Sequence, residues 1–490
     1  MVIPNPQPVS INAMNSALEY QQTTAFERNR SMGRRINWND QPIPFKLYRD
    51  VPKYHLPQKL SLPDTPLARC LDLPDFNPEA DMPRLLASIC YLTAGLTRVR
   101  RQADGLTFHF RTAPSAGALY PTELYVALQN VNGMNNGVYH YSPLEHMLTP
   151  IRQGLVFSAL AGNKPVIRFY LTTVFHRSAW KYGPRAYRYC LLDAGHMAEN
   201  LLLAARIHGF PATADYDFND DFINDFLCID PGHEACIAQV HGYGCGPSTA
   251  VYDTVPPVSE TLAGFSRSAK KADAPQEVLD IHRLCAAKPT GKLPVVPPPS
   301  SAADQLPAPE MPASITAALE QRKSSRNFVV RDINPRLLTD VLGWMCLGQP
   351  ENPLVGTVQT GVLAHTHSGL TPGFHHLDPR TRSMTLAQPG NLTARSAQTC
   401  LDQEWLENAA LHLTFSADLA KLEALTGPRA FRYAHLEAGR LGQRAYLAAT
   451  ANNLGACGVG AFFDHEATEL LGLEQGNHLL YLVAVGPVKK

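Results

Sequence analysis

The string GPRAYRYCLLDAG, Gly183 to Gly195, returns as GPRAFRYAHLEAG at Gly427 to Gly439, 244 positions later. A chain that repeats so specific a string folds two related units, and its function has to arise from that pairing. The match is not isolated. PRLLASICYLTAG from Pro83 has a counterpart in PRLLTDVLGWMCLG from Pro335, and GVYHYSP from Gly137 in GFHHLDP from Gly373, in the same order. The spacing far exceeds the roughly 20 to 50 residues of a solenoid repeat, so each copy is expected to be a domain.

Between the copies lies KPTGKLPVVPPPSSAADQLPAPEMP, Lys288 to Pro312. Its prolines deny both helix and central strand, and it reads as a stiff connector. The expected division is a front domain over 1–254, a linker over 255–312 and a rear domain over 313–490. Within a copy, ELYVALQ and KPVIRFYLTTV carry the apolar and β-branched pattern of buried strands, as does HLLYLVAVG near the end. YRYCLLDAGHMAENLLLAARIHG and FRYAHLEAGRLGQRAYLAATANNLG have apolar residues at helical spacing and close on glycine, which predicts two long core helices. The expected class is α+β, in duplicate.

Charge and cysteine usage narrow the function. Lys+Arg and Asp+Glu both count 43, which leaves no basic field for nucleic acid and no polybasic stretch for a membrane surface. No apolar run approaches the roughly 20 residues that span a bilayer, and MVIPNPQPVSINAMNS lacks a signal-peptide pattern. Ten cysteines are scattered without a CxxC pair, as expected of reduced thiols in a cytoplasmic protein.

Four segments carry chemistry. RTAPSAGALYP, Arg111 to Pro121, places small residues and two prolines just before a strand. It is either a plain loop or a place where main chain comes close to something flat or charged. In RKSSRNF, Arg322, Ser324 and Arg326 stand at alternating positions. In an extended segment they would face one side and offer an anion two guanidiniums and a hydroxyl; the alternative is a solvated basic turn. GACGVGAFFD supplies Gly458, Gly460 and Ala461 after the rear helix, and AWKYGPR holds the adjacent pair Lys181–Tyr182. His365, His367, His375 and His376 cluster without a Cys or acidic partner at clear spacing, HEAC at His233 is not HExxH, and no metal is expected. There is no Walker loop and no GxGxxG opening a helix.

These motifs, in this order, resemble the SagB-type dehydrogenases within the nitroreductase-like flavoproteins. RTAPSAGALYP is similar to their P-S-x-G-x-L-Y-P signature, RKSSRNF to the start of nitroreductase domains, and WKYGPRAYRY and the N-terminal ALEYQQTTAFERNRS to further family segments. The resemblance implies FMN as cofactor. Arg322, Ser324 and Arg326 would hold its phosphate. Pro114, Ser115, Ala116 and Gly117 would wall its ring, with Arg111 reaching the pyrimidine edge. Gly458, Gly460 and Ala461 would line its N5 side. Lys181 and Tyr182 would be catalytic, as in the azoline-oxidising relatives, with Tyr182 a base only where a cation favours phenolate.

Family members build each site from two subunits. Here the front copy keeps PSAG but has FERNRSMGRR where the phosphate segment belongs. The rear copy keeps RKSSR but has ENPLVGTVQTGVLA for PSAG and LTGPRAF for the Lys-Tyr pair. The expectation is a fused, intramolecular pseudo-dimer with one live site, able to work as a monomer. The expected reaction is oxidation of an azoline or similar C–N bond in a small-molecule, peptide or carrier-bound intermediate, with O2 or NAD(P) as second redox partner. The alternatives are an NAD(P)H-dependent nitro- or quinone reductase, and a degenerate flavin-binding scaffold that supports a modifying enzyme.

Overall fold

Both copies of PRLL start helices for the same local reason. The side chains of Asp81 and Asn334 accept N–H bonds from Arg84 and Arg336, and a proline in each first turn forgoes an N–H that the helix could not satisfy. The helices run Met82–Ala94 and Pro335–Met345. The computed structural model describes residues 14–29, 36–72, 81–101, 107–157, 165–210, 212–243, 256–269, 273–286, 306–347, 354 and 356–489.

Each copy is built on an antiparallel sheet. The front sheet has seven strands, in the spatial order Tyr54–His55, Met147–Gln153, Gly137–Ser142, Thr122–Gln129, Val166–Val174, Glu234–Tyr243 and Thr213–Asp215. The rear sheet has six: Ser383–Pro389, Gly373–Asp378, Gln359–Ala364, Leu411–Asp418, Asn477–Gly486 and Gly455–Val459. Without the two-residue edge strand at Tyr54, the two orders are the same. Registers agree as well, since Leu128 faces Gly137 in the front hairpin and Ala364 faces Gly373 in the rear one. Every residue of Thr122–Gln129 and Val166–Val174 is buried, which means the sheet is covered on both faces.

The long helices Ala186–Ile207 and Ala430–Ala451 lie against each other at the centre of the molecule. In the front one every residue except Arg206 is buried. Their closest approach is reciprocal. A Cβ on Gly195 would come within 2.2 Å of the Leu436 carbonyl oxygen, and one on Gly439 within 2.2 Å of the Leu192 carbonyl oxygen. The same offset of 244 relates both pairs, so the halves meet about a local two-fold axis, as subunits of a dimer do. Ion pairs obey that axis too. Arg185 and Arg188 of the front half hold Asp464 of the rear at 2.8 and 2.7 Å, while Arg429 and Arg432 of the rear hold Asp220 of the front at 2.7 Å each.

Two sequence expectations need correction. The linker does not begin at 255: Gln276–Cys285 is a helix with Val278, Ile281 and Cys285 buried, an apolar stripe at helical spacing that seats it in the core. The extended chain before the rear domain is described only from Leu306, where its N–H donates to the Arg382 carbonyl. The rear core helix is not stopped by Gly455, which opens a strand; Asn453 takes the left-handed position instead, with φ of 56°. Near the C-terminus, Lys489 exchanges hydrogen bonds with Asn327. The nine described cysteines are all free, and all but Cys228 are fully buried. No helix among the described residues is long and apolar enough to cross a membrane.

Candidate active site

The seam between the halves opens into a cleft lined by residues of both. The front half contributes Pro114 to Gly117, Tyr182 and, from its core helix, Tyr189, Asp193 and His196. The rear half contributes Ser324, Arg326, Trp405, Tyr446, Gly458 to Ala461 and Tyr481. Neither half has the cleft alone.

The PSAG wall is shaped by strain and by one carboxylate. Gly117, Ala118 and Tyr120 all have left-handed φ values, of 66°, 54° and 47°. Such conformations cost about 1 kcal/mol or more apiece for a non-glycine residue and persist where the surroundings impose them. Asp193 supplies part of that restraint. It accepts from the Ser115 hydroxyl at 2.6 Å and from the Ala116 N–H at 3.1 Å, while the Ser115 oxygen accepts from the Tyr120 N–H at 2.8 Å. Burial pushes the Asp193 carboxyl up to about 7 despite these donors. Ser115 therefore spends its hydroxyl on the wall itself.

The RKSSR segment does not present its three side chains to one side. Arg322 is the C-cap of the helix Ile315–Gln321, not part of an extended run, and its guanidinium turns into the seam. There Nε and Nη2 donate to the carbonyls of Thr112 and Arg111, just ahead of the wall. Ser324 and Arg326 do line the cleft. Tyr446 fixes Ser324 in place: its hydroxyl meets Ser324 Oγ at 2.9 Å and accepts the Gly458 N–H at 2.7 Å. The Arg322 guanidinium lies 5.4 Å from the Tyr446 ring, and its buried Nη1 has no partner. A hydroxyl, an exposed arginine and an unsatisfied guanidinium nitrogen in one place suit the phosphate of a flavin nucleotide.

Arg111 does not reach the cleft. Its side chain is buried between the rings of Phe45 and Tyr120 and donates to the Pro44 carbonyl at 2.5 Å. Burial lowers its basicity to about 10. Its contribution to the seam is its own carbonyl, which accepts from Arg322.

Gly458, Gly460 and Ala461 line the cleft, but tyrosines account for the glycines. A Cβ on Gly458 would sit 1.7 Å from the Tyr481 hydroxyl, and one on Gly460 would sit 2.8 Å from the Tyr189 ring. Gly460 is held by its carbonyl, which accepts from Arg185 and Tyr189. The floor carries His196, with ring nitrogens against Gln443 and the Tyr481 hydroxyl. Burial pushes it down to about 3, so it is neutral at ordinary pH.

Lys181 and Tyr182 end the helix Phe175–Tyr182 beside the wall. A Cβ on Gly117 would lie 2.9 Å from the Tyr182 hydroxyl and 3.2 Å from Lys181 Nζ. Tyr182 packs on Tyr189 with ring centroids 4.2 Å apart. Tyr182, Tyr189 and Ala461 border a second cavity as well, of about 1210 Å³, onto which Lys181, Phe26, Pro184 and Leu401 face. Burial raises the Tyr182 phenol well above its usual range, whereas burial and then Arg326 lower the Lys181 ammonium. A Tyr182 phenolate is thus disfavoured, and the Lys181 ammonium gives up its proton more readily than that of an ordinary lysine.

The equivalent place in the other half is closed. The 244-residue offset puts Ala214, Tyr216 and Asp217 where Gly458, Gly460 and Ala461 stand, and Glu437 and Arg440 where Asp193 and His196 stand. Tyr216 is buried, Tyr433 donates to Asp217, and Arg440 bonds both Glu199 and Glu437 at 2.5 and 2.9 Å. Among the described residues these side chains bond one another there; the segment 348–353, in the region expected to replace PSAG, lies outside the described residues.

Sequence reasoning missed Asp193, His196, Tyr446, Tyr481 and Trp405. Only Asp193 left a trace: the repeated strings LLDAG and HLEAG carry an acid at the same point of an otherwise apolar stretch. The family model described as "Nitroreductase family" matches residues 93–243 and 372–487, one stretch in each half. A nitroreductase-type protein of Methanocaldococcus jannaschii, MJ1384, is 33% identical over 154 residues, which cover 30% of this chain and 74% of that one. The trifolitoxin-processing protein TfxB of Rhizobium leguminosarum bv. trifolii is 29% identical over 222 residues, 41% of this chain and 59% of its own length. A crystal structure described as a nitroreductase, from Anabaena variabilis, superposes with a TM-score of 0.77 at 25% identity, over 97% of this chain and 100% of that one. With family matches that together span more than half of its length, one in each half, this chain belongs to the nitroreductase family, with two such domains in tandem.

Proposed function

We propose that this protein is an FMN-dependent oxidase or dehydrogenase that removes two electrons from an azoline or similar C–N bond in a peptide or carrier-bound intermediate. The observation that carries the reading is the meeting of Lys181 and Tyr182 with the PSAG wall, where the cleft adjoins the second cavity. FMN, when bound, supplies a hydride acceptor at N5. Arg326 and Ser324 would hold its phosphate with Arg322 behind them, and Pro114 to Gly117 would orient its ring. Substrate enters along Phe26, Pro184 and Leu401. Lys181 would take the proton from the ring carbon beside nitrogen as a hydride leaves the adjacent ring carbon, so a C–C double bond forms in the azoline ring while a proton and a hydride depart. Tyr182, protonated, donates a hydrogen bond that orients the substrate. O2 or NAD(P)+ would be the second redox partner that takes up the two electrons. The likeness to a toxin-processing protein, TfxB, supports a biosynthetic substrate.

Incubating the FMN-loaded chain with a thiazoline-containing peptide is expected to yield a product lighter by two hydrogens by mass spectrometry. Flavin bleaching by NADPH with no loss of hydrogens from the peptide would assign the chain to the reductases instead. Cofactor released by heat is expected at a single FMN per chain, because Tyr216 and Arg440 fill the second site; two per chain would contradict this. Tyr446→Phe removes the hydroxyl that joins Ser324 to Gly458. With two hydrogen bonds lost at about 0.5–1.5 kcal/mol each, FMN should bind roughly tenfold more weakly, measured by fluorescence titration of the apoprotein.

A further inference from the structure

Strands Leu96–Arg101 and Thr107–Arg111 pair only with each other and form a ribbon outside both main sheets. Arg98 stands opposite Phe110 and Arg100 opposite Phe108, so one face of the ribbon alternates guanidinium and aromatic ring. Arg98 covers the Phe110 ring at 4.4 Å, while Phe108 remains 39% exposed. The other face carries His109, packed edge-on at 5.0 Å to Phe45 of the body. Arg98, Arg100 and Arg101 are exposed, and none has a carboxylate partner among the described residues. In a chain of zero formal charge, this is a local concentration of positive charge.

We propose that this ribbon is a docking arm that takes an extended, acidic polypeptide segment as an added strand. The occupant is the part of the substrate that flanks the ring to be oxidised. Open strand edges supply main-chain donors and acceptors for such a strand, the arginines select acidic side chains, and Phe108 offers an apolar contact. A second copy of the chain is a poor occupant, since it would bring the same arginines to the same edge. Placement supports the role. The ribbon ends at Arg111, three residues before Pro114, and Arg322 bonds the carbonyls of Arg111 and Thr112. A strand held on the ribbon is thereby anchored to the cleft wall.

The inference rests on the peptide-oxidising reading for the occupant's identity, so its test is made on binding, without turnover. A fluorescein-labelled peptide alternating glutamate and leucine is titrated into the FMN-loaded chain and followed by anisotropy. It should bind, weaken with salt, and weaken roughly tenfold in the Arg98→Glu/Arg100→Glu double variant with flavin content unchanged. The same peptide N-methylated at alternate amides should bind less well, because strand pairing is blocked. No binding by the unaltered chain would overturn the arm, and so would equal binding by the double variant or by the N-methylated peptide. Tighter ribbon-dependent binding of single-stranded DNA would replace the peptide with nucleic acid. A chain that binds the peptide but oxidises no azoline keeps the arm and loses the reaction.

Discussion

Asp464→Ala is expected to destabilise the protein by about 3–5 kcal/mol, the usual cost of leaving a buried charge without its partner. Here two guanidiniums, Arg185 and Arg188, are left at once. Asp220→Ala, its counterpart about the local axis, should cost a similar amount because it strands Arg429 and Arg432. The two differ in what else they disturb. Arg185 also donates to the Gly460 carbonyl on the cleft, so Asp464→Ala should weaken FMN binding while Asp220→Ala should spare it in molecules that still fold. Chemical denaturation gives the first quantity and flavin titration the second. Equal loss of flavin affinity would mean that the second half also holds cofactor. Acid should act like the substitution. Burial works against the Asp464 charge, but Arg185 and Arg188 outweigh it and hold the carboxyl below its ordinary range. The stability it contributes is therefore present at neutral pH and lost as pH falls through that depressed value.

Lys181→Ala should leave the flavin bound and lower turnover by about 10²- to 10⁴-fold, the range associated with a positioned general base. Arginine at the same position should not rescue, because a guanidinium stays protonated. Tyr182→Phe should cost less and act mainly on KM, since the phenol orients without losing its proton. The pH profile separates the roles. Burial and Arg326 lower the Lys181 ammonium, so activity should rise with pH along a limb placed below that of an ordinary lysine. That limb should vanish in Lys181→Ala. A profile unchanged in Lys181→Ala and abolished in Tyr182→Phe would reverse the assignment.

Repetition made the fold legible. Similar strings recurring in the same order located the core helices, and turn and strand signals around them placed the sheets. The site was legible where main chain matters, at PSAG and GVGA, because small residues are visible in a sequence. It was illegible where one side chain reaches across the seam. Arg322 and Arg326 look alike in RKSSR, yet one is the last cap of a helix and the other faces the cleft. Arg111 was expected at the pyrimidine edge of the flavin, and Phe45, far away in sequence, buries it. Tyr446 and Tyr481 sit among apolar helix and strand residues with nothing local to mark their hydroxyls.

The reciprocal contact of Gly195 and Gly439 joins partners that cannot drift apart, since one backbone carries both. A two-chain enzyme falls apart when diluted and loses its catalytic pocket with it. In this protein assembly is unimolecular, so cofactor retention and rate per molecule should stay level down to concentrations at which separate subunits would part.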